Sequence, residues 1–226
     1  MKVTEVFRSI QGEGPGTGRL AVFLRLSGCN LHCEKCDSKY SWKNDQQFST
    51  PDLLTSLRRN GLDEAEYLVI TGGEPLLQRW SIELLLRAIP ITCKIGIETN
   101  GTKFHILNTY SPGRAWRDIE YVVSPKLSSF SSRFDKIGFN VKWAKPMEDM
   151  DVYFKFVAGS QDDLDEIGEF VKKYDISRRA VWIMPECVDR ERHLELFPQL
   201  WKYCMTHGYN LSSRLHILTF GNIRGV

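Results

Sequence analysis

The chain has 226 residues, 42% hydrophobic and 26% charged, with 30 Lys plus Arg against 28 Asp plus Glu. That is enough apolar material for one globular domain over residues 1–226 with a substantial core, and a formal net charge of +2 excludes a disordered or strongly acidic chain and a surface built around a nucleic-acid field. The basic pairs Arg58-Arg59, Lys172-Lys173 and Arg178-Arg179 are scattered and read as solvated surface, so no nucleic-acid partner is expected.

The opening segment, Met1 to Gly18, carries Glu5, Arg8 and Glu13 and lacks the apolar centre of a secretory signal. Apolar runs such as 21–24 and 67–70 fall far short of the roughly 20 residues that span a membrane. A cytoplasmic location without a membrane partner is therefore expected. In that reducing compartment, cysteines close in sequence point to metal or redox chemistry rather than disulfides.

Along the chain, Leu20–Leu26 reads as the first strand. Residues 50–61 read as a helix with a capping Thr50, Pro51 at its first turn and Gly61 past its end. A strand at Tyr67–Thr71 leads to a helix over 81–89, whose Ile82, Leu85, Leu86 and Ile89 share one face. Strands follow at Lys94–Thr99 and Ile119–Ser124. Residues 127–150 are Ser-rich at their start and aperiodic, a loop or lid. Val152–Val157 is a strand, and Leu164, Ile167, Phe170, Val171 and Tyr174 stripe the helix after Ser160. After a strand at Val181–Met184, a helical region over 190–207 is expected to kink or split at Pro198 and to close at Gly208; Leu215–Phe220 reads as a last strand. The alternation predicts an α/β chain with a mostly parallel sheet, either open and doubly wound or a partial barrel, with its chemistry at the strands' C-terminal ends.

The sharpest signal comes directly after the first strand. Cys29, Cys33 and Cys36 place three thiols within eight residues, enough to hold three corners of a [4Fe-4S] cube and leave one iron open. A structural zinc needs four ligands, and His32, adjoining Cys33, is an awkward fourth; chance clustering of buried thiols is the other alternative. Cys93, Cys187 and Cys204 are isolated and read as small core residues. Thr71-Gly72-Gly73-Glu74-Pro75, Glu98-Thr99-Asn100-Gly101 and Ser124-Pro125-Lys126 each end a strand; taken singly they are turn and capping residues. Arg25, in an otherwise apolar strand, needs an anionic or planar partner, or belongs to a core salt bridge.

The cysteine loop resembles the signature of the radical S-adenosylmethionine (SAM) enzymes, and Gly72-Gly73-Glu74-Pro75 resembles the motif that receives the methionine ammonium of their cofactor. The resemblance implies a partial (β/α) barrel of radical SAM type. It implies SAM contacts from Lys35, Asp37, Gly72, Gly73, Glu74, Glu98, Asn100, Ser124, Pro125 and Lys126 and, more loosely, from Met184, Pro185 and Glu186. Lys35 stands where many of these enzymes carry an aromatic residue against the adenine.

Residues 7–19, with Phe23-Leu24-Arg25-Leu26 and Cys36-Asp37-Ser38, closely resemble the 7-carboxy-7-deazaguanine synthases within that superfamily. Membership there would imply a lyase acting on 6-carboxy-5,6,7,8-tetrahydropterin with release of ammonia, in 7-deazapurine biosynthesis of the queuosine type. Ile10, Gln11, Gly12, Glu13, Arg25 and Thr71 would contact the substrate, and Ser38, where the family usually has Thr, would bind Mg²⁺. A carboxylate and an amide suit the donor and acceptor edge of the pterin. The same resemblance implies an electron donor such as flavodoxin or ferredoxin, a homodimer, and in some relatives a tail that closes the pocket. A radical SAM activase acting on a partner's glycine, or a non-catalytic zinc or Fe-S module, would share the cysteine loop without needing Gln11 and Glu13.

Overall fold

The computed structural model describes residues 1–43, 46–89, 93–107, 119–147 and 150–226. Among these, strands β1 (Lys2–Ile10), β2 (Leu20–Leu26), β3 (Gln46–Gln47), β4 (Tyr67–Gly72), β5 (Lys94–Thr99), β6 (Ile119–Val123), β7 (Asp151–Ala158), β8 (Val181–Pro185) and β9 (Asn210–Leu211) form one sheet in the order β3-β1-β2-β4-β5-β6-β7-β8-β9. From β2 to β9 every neighbour is parallel, and only β1 runs antiparallel, to β2 and β3. The sheet is open, with edges at β3 and β9. The expected α/β class with a mostly parallel sheet is what is found.

The helices are α1 (Thr50–Arg59), α2 (Arg79–Ala88), α3 (Ser132–Ile137), α4 (Gln161–Lys173), α5 (Arg190–His207) and α6 (Leu215–Phe220). Alternation along the strands separates two faces. Val22, Leu24 and Leu26 of β2 join Leu68 and Ile70 of β4 and the buried stripes of α1 and α2 in the main core. Ala21, Phe23, Tyr67 and Val69 turn to the opposite, inner face, where Phe7 of β1 stacks on Phe23 at 4.8 Å.

Five expectations are corrected. The N-terminal segment is a strand, β1, whose half-buried polar side chains hide its period. Helix α1 is capped by Ser49, which accepts from the Asp52 amide, rather than by Thr50. Helix α5 runs unbroken through Pro198; Leu194, whose carbonyl the proline leaves without a donor, is on the exposed side of the helix. Leu215–Phe220 is helix α6 rather than a strand, its end closed by the Gly221 amide on the Ile217 carbonyl; so short an apolar run carries no decisive period. Residues 127–150, read as a loop or lid, contain α3 and a 3-10 turn at Val141–Ala144 that buries Trp143 completely, while 148–149 lie outside the described residues.

On the inner face, at the strands' N-terminal ends, Tyr67 donates to Glu120 Oε1 at 2.6 Å, and Lys94 lies 3.2 Å from Glu120 Oε2 and 2.8 Å from Asp151. Gly96 leaves room for the Tyr67 hydroxyl, which a Cβ there would strike. Burial first, and then the Glu120 carboxylate, push the Tyr67 phenol far above its usual value, so it remains a donor. No helix among the described residues is long and apolar enough to cross a membrane. Replacing Tyr67 by Phe removes one donor from a buried carboxylate that keeps Lys94. We expect a loss of about 1–3 kcal/mol, read as a lower denaturant midpoint at constant slope; an unchanged midpoint would mean that Lys94 alone satisfies Glu120.

Candidate functional site

The C-terminal ends of β2 and of β4–β8 surround a cavity of about 410 Å³, closed on its other sides by the β1–β2 connection and by the last stretch of the chain. The loop after β2 forms one wall. Its backbone is tied to three segments: Ser27 donates to the Lys2 carbonyl at 3.1 Å, Gly28 donates to the Ser41 carbonyl at 2.9 Å, and the Gly28 carbonyl accepts from the Glu74 amide at 2.8 Å. Gly28 has φ +92 and His32 φ 57, so the loop makes two left-handed turns within a few residues.

The Gly72-Gly73 turn packs directly against this loop. A Cβ on Gly73 would strike the Gly28 carbonyl and come 2.9 Å from the Cys29 Cβ; one on Gly72 would strike the Leu26 carbonyl. Farther along, Asn30 donates to Thr102 Oγ1 at 2.9 Å and accepts from Asn100 Nδ2 at 3.0 Å, tying the loop to the end of β5.

Cys29, Cys33 and Cys36 all line the cavity. Cys33 is buried with Leu31 against Phe134 of α3, and Cys29 and Cys36 pack at the margin of that cluster. The Leu31 amide points to Cys29 Sγ at 3.4 Å, a donor suited to a thiolate. Among the described residues no three Cys, His, Asp or Glu side chains converge on a point that would hold a single ion, as a tetrahedral zinc demands. In a cube each thiolate meets its own iron, and three thiols along one cavity wall fit such a cluster.

Most residues expected to contact SAM reach the cavity: Lys35, Asp37, Gly72, Gly73, Glu98, Asn100, Ser124, Lys126, Met184 and Glu186. Lys126 donates to Ser124 Oγ at 2.9 Å, and Lys35 lies 3.8 Å from Glu186 and 5.2 Å from the centre of the Phe130 ring. Glu74, Pro125 and Pro185 do not line it. Glu74 is wholly buried, and its carboxylate accepts from the Leu76 amide at 3.0 Å, the Thr99 hydroxyl at 2.8 Å and the Asn100 amide at 2.7 Å. It fastens the ends of β4 and β5 together beneath the Gly72-Gly73 turn.

The opposite wall is the β1–β2 connection. Ile10, Gln11, Gly12 and Glu13 line the cavity with Arg25, Thr71 and Ser38. Gln11 donates to Glu98 Oε1 at 3.2 Å, and its own Oε1 accepts from the Glu13 amide at 3.1 Å. Glu13 lies 2.6 Å from Lys155 Nζ, 2.9 Å from Arg214 Nε and 3.8 Å from His216 Nε2. Burial alone would raise the Glu13 carboxyl; the Lys155 ammonium and the Arg214 guanidinium overcome it and hold the group far below the usual carboxylate range.

Arg214 also donates to Asp37 Oδ2 at 2.6 Å and to the Cys187 carbonyl, while its amide donates to His193 Nε2 at 3.2 Å. Ser38 donates to Asp37 Oδ1 at 2.8 Å, which places two hard oxygen groups side by side. Arg25 finds its anionic partner in Glu5, its neighbour across β1 and β2, at 2.6 Å, and Tyr40 donates to the same carboxylate oxygen at 2.9 Å. The ion pair is half-buried at the cavity wall rather than in the core.

Lys155, Arg214 and His216 were not foreseen. Lys155 is a polar residue in a strand, the signal that singled out Arg25. Arg214 and His216 lie in and beside the run mistaken for a strand. Cys187, expected in the core, is buried but borders the cavity, and residues 222–226 line it too.

Residues 10–133 match a family described as a 4Fe-4S single cluster domain, more than half of the chain. The chain is 36% identical to the 7-carboxy-7-deazaguanine synthase of Pyrobaculum aerophilum, over 100% of this chain and 97% of that protein. It is also 36% identical to the one from Hyperthermus butylicus, over 96% and 92%. The crystal structure of QueE from Escherichia coli superimposes with a TM-score of 0.66 at 23% identity, covering 94% of this chain and 92% of that one. Streptococcus suis SuiB bound to S-adenosylmethionine gives 0.55 at 17%, covering 85% and 50%. These two likenesses speak to the fold, the partial (β/α) barrel. Gly73→Ala should push the two turns apart: we expect far less iron and sulfide bound after anaerobic reconstitution, with unchanged far-ultraviolet circular dichroism. Iron content equal to that of the unaltered protein would show that the loop does not need this contact.

Proposed function

The chain belongs to the 7-carboxy-7-deazaguanine synthase family, and from that membership we propose that its cavity takes 6-carboxy-5,6,7,8-tetrahydropterin and releases 7-carboxy-7-deazaguanine and ammonia. It is a radical SAM enzyme, acting in this reading as one unit over residues 1–226. The observation that carries the reading is the opposition of two walls of one cavity, three thiols on one and the paired polar groups of Gln11 and Glu13 on the other.

Cys29, Cys33 and Cys36 would hold the [4Fe-4S] cluster. When bound, the cluster and SAM supply a one-electron cleavage that yields a carbon radical able to abstract hydrogen. The chain's own work is binding and orientation. The bare backbone of Gly72 and Gly73, with the Glu74 carboxylate behind it, would receive the methionine ammonium. Glu98, Asn100, Ser124 and Lys126 offer donors and acceptors to the ribose and carboxylate, with Lys35, Asp37, Met184 and Glu186 around the rest of the cofactor.

Across the cavity, Glu13 keeps lone pairs for pterin N–H groups, because a carboxylate has about four acceptor sites and Lys155 and Arg214 each occupy one. Gln11 is fixed at both ends of its amide, which sets the orientation it presents to the ring. Arg25, with Ser38 holding Mg²⁺ beside Asp37, supplies positive charge to the substrate carboxylate, while Ile10, Gly12 and Thr71 shape the pocket. The last residues of the chain help to exclude water. The substrate less one ammonia is the product, so the net conversion needs no external oxidant. A one-electron donor such as flavodoxin or ferredoxin and a homodimeric state complete the proposal and rest on family membership. Mass spectrometry after anaerobic incubation with the pterin, SAM, Mg²⁺ and a reductant should detect the 7-deazaguanine carboxylate; SAM cleavage without that product would overturn the assignment.

A further inference from the structure

Strand β7 sends Phe154 and Phe156 into the core and turns Lys155, between them, toward the cavity. The lysine is only 6% exposed. Its Nζ lies 2.6 Å from Glu13 Oε2 and 3.8 Å from Glu98 Oε1, the oxygen that also accepts from Gln11. Its stem passes beside the glycine-rich turn: a Cβ added at Gly14, which has φ +65, would stand at ordinary contact distance, 3.7 Å, from Lys155 Cδ.

The groups facing Glu13 are Lys155 from β7 and Arg214 and His216 from the C-terminal stretch, with Glu98 of β5 and Asp37 of the cluster loop one contact farther away. Arg214 has all three guanidinium nitrogens engaged, on Glu13, Asp37 and the Cys187 carbonyl, and is committed to joining three segments. Burial keeps the His216 imidazole below its usual value. Lys155 is the cation that both meets Oε2 and separates the Glu13 and Glu98 carboxylates, whose like charges would otherwise repel across the cavity.

We propose that Lys155 is a positioning residue for the substrate: it fixes the aim of Glu13 Oε2 against Glu98, which holds Gln11, and thereby sets how the pterin's N–H edge is read. This deepens, and rests on, the assignment of the pterin to this cavity. The Lys155 ammonium stays charged despite its burial, because Glu13 and Glu98 outweigh the desolvation that would lower it. Removing it lets the Glu13 carboxyl rise, so that as pH falls a growing fraction is protonated and loses an acceptor site.

The test is calorimetric titration of 6-carboxytetrahydropterin into anaerobically reconstituted but unreduced protein, in which no turnover occurs. It compares the unaltered protein, Lys155→Met and Lys155→Arg at about pH 8.5 and about pH 6.5, all checked for equal iron content. We expect Lys155→Met to weaken binding at least about tenfold at the higher pH and further, relative to the unaltered protein, at the lower. Lys155→Arg should stay within about threefold and keep the original pH dependence. Binding by Lys155→Met as tight as the original at both pH values overturns the inference. So does an equal loss in both variants with unchanged pH dependence, which marks a packing role. If the unaltered protein takes up no pterin, the functional reading falls and this inference with it; a discrepancy confined to the variants touches this inference alone.

Discussion

Two backbone turns meet at the ends of β2 and β4 with no space for a side chain between them. Gly73 lies against the Gly28 carbonyl, the Glu74 amide donates to that carbonyl at 2.8 Å, and the Gly73 amide donates to the Leu26 carbonyl at 3.1 Å. Everything catalytic is referred to this contact. It fixes where the cysteine loop leaves the sheet and so where three thiols face the cavity, and it leaves the backbone of the second turn bare beside them. Parallel strands place their C-terminal ends together, so the turns after β2 and β4 are neighbours by topology rather than by sequence. Glu74 holds the arrangement from below, spending its carboxylate on three protein donors.

The other half of the cavity is organised by charge. Glu13, Asp37 and Glu98 face Lys155 and Arg214, and each buried cation serves more than one carboxylate. An isolated charge at such depth would be prohibitive, and a paired one is tolerated when its remaining hydrogen-bonding sites are filled. Arg214 meets that condition by joining the glycine-rich turn, the cluster loop and the segment after β8, with His193 holding its backbone. The C-terminal stretch is thereby a wall of the cavity, anchored where it passes Glu13.

Local signals carried much of this arrangement. Three thiols within eight residues, two glycines at a strand end and a lone arginine in an apolar strand are legible because each violates what its setting would otherwise select. The strands that form the parallel core were visible as apolar runs, and the resemblance supplied the assignment of Gln11 and Glu13. What stayed hidden depends on partners distant in sequence. Lys155 is informative only once Glu13, 142 residues away, is seen beside it, and Arg214 only against Glu13 and Asp37. That Glu74 also ties β4 to β5 is invisible in the sequence, because only the fold brings Thr99 and Asn100 onto it. The run at 215–220 misled because six residues, four of them apolar, fit a helix and a strand alike.

A [4Fe-4S] cluster held by Cys29, Cys33 and Cys36 would leave one iron open, and electron paramagnetic resonance of the reduced, oxygen-protected protein would read that opening without reference to any substrate. The geometry predicts a [4Fe-4S] signal that shifts when SAM is added, because a small molecule gains a corner that no side chain holds. Stoichiometric zinc in place of iron, or a cluster signal indifferent to SAM because a fourth side chain caps it, would contradict this reading.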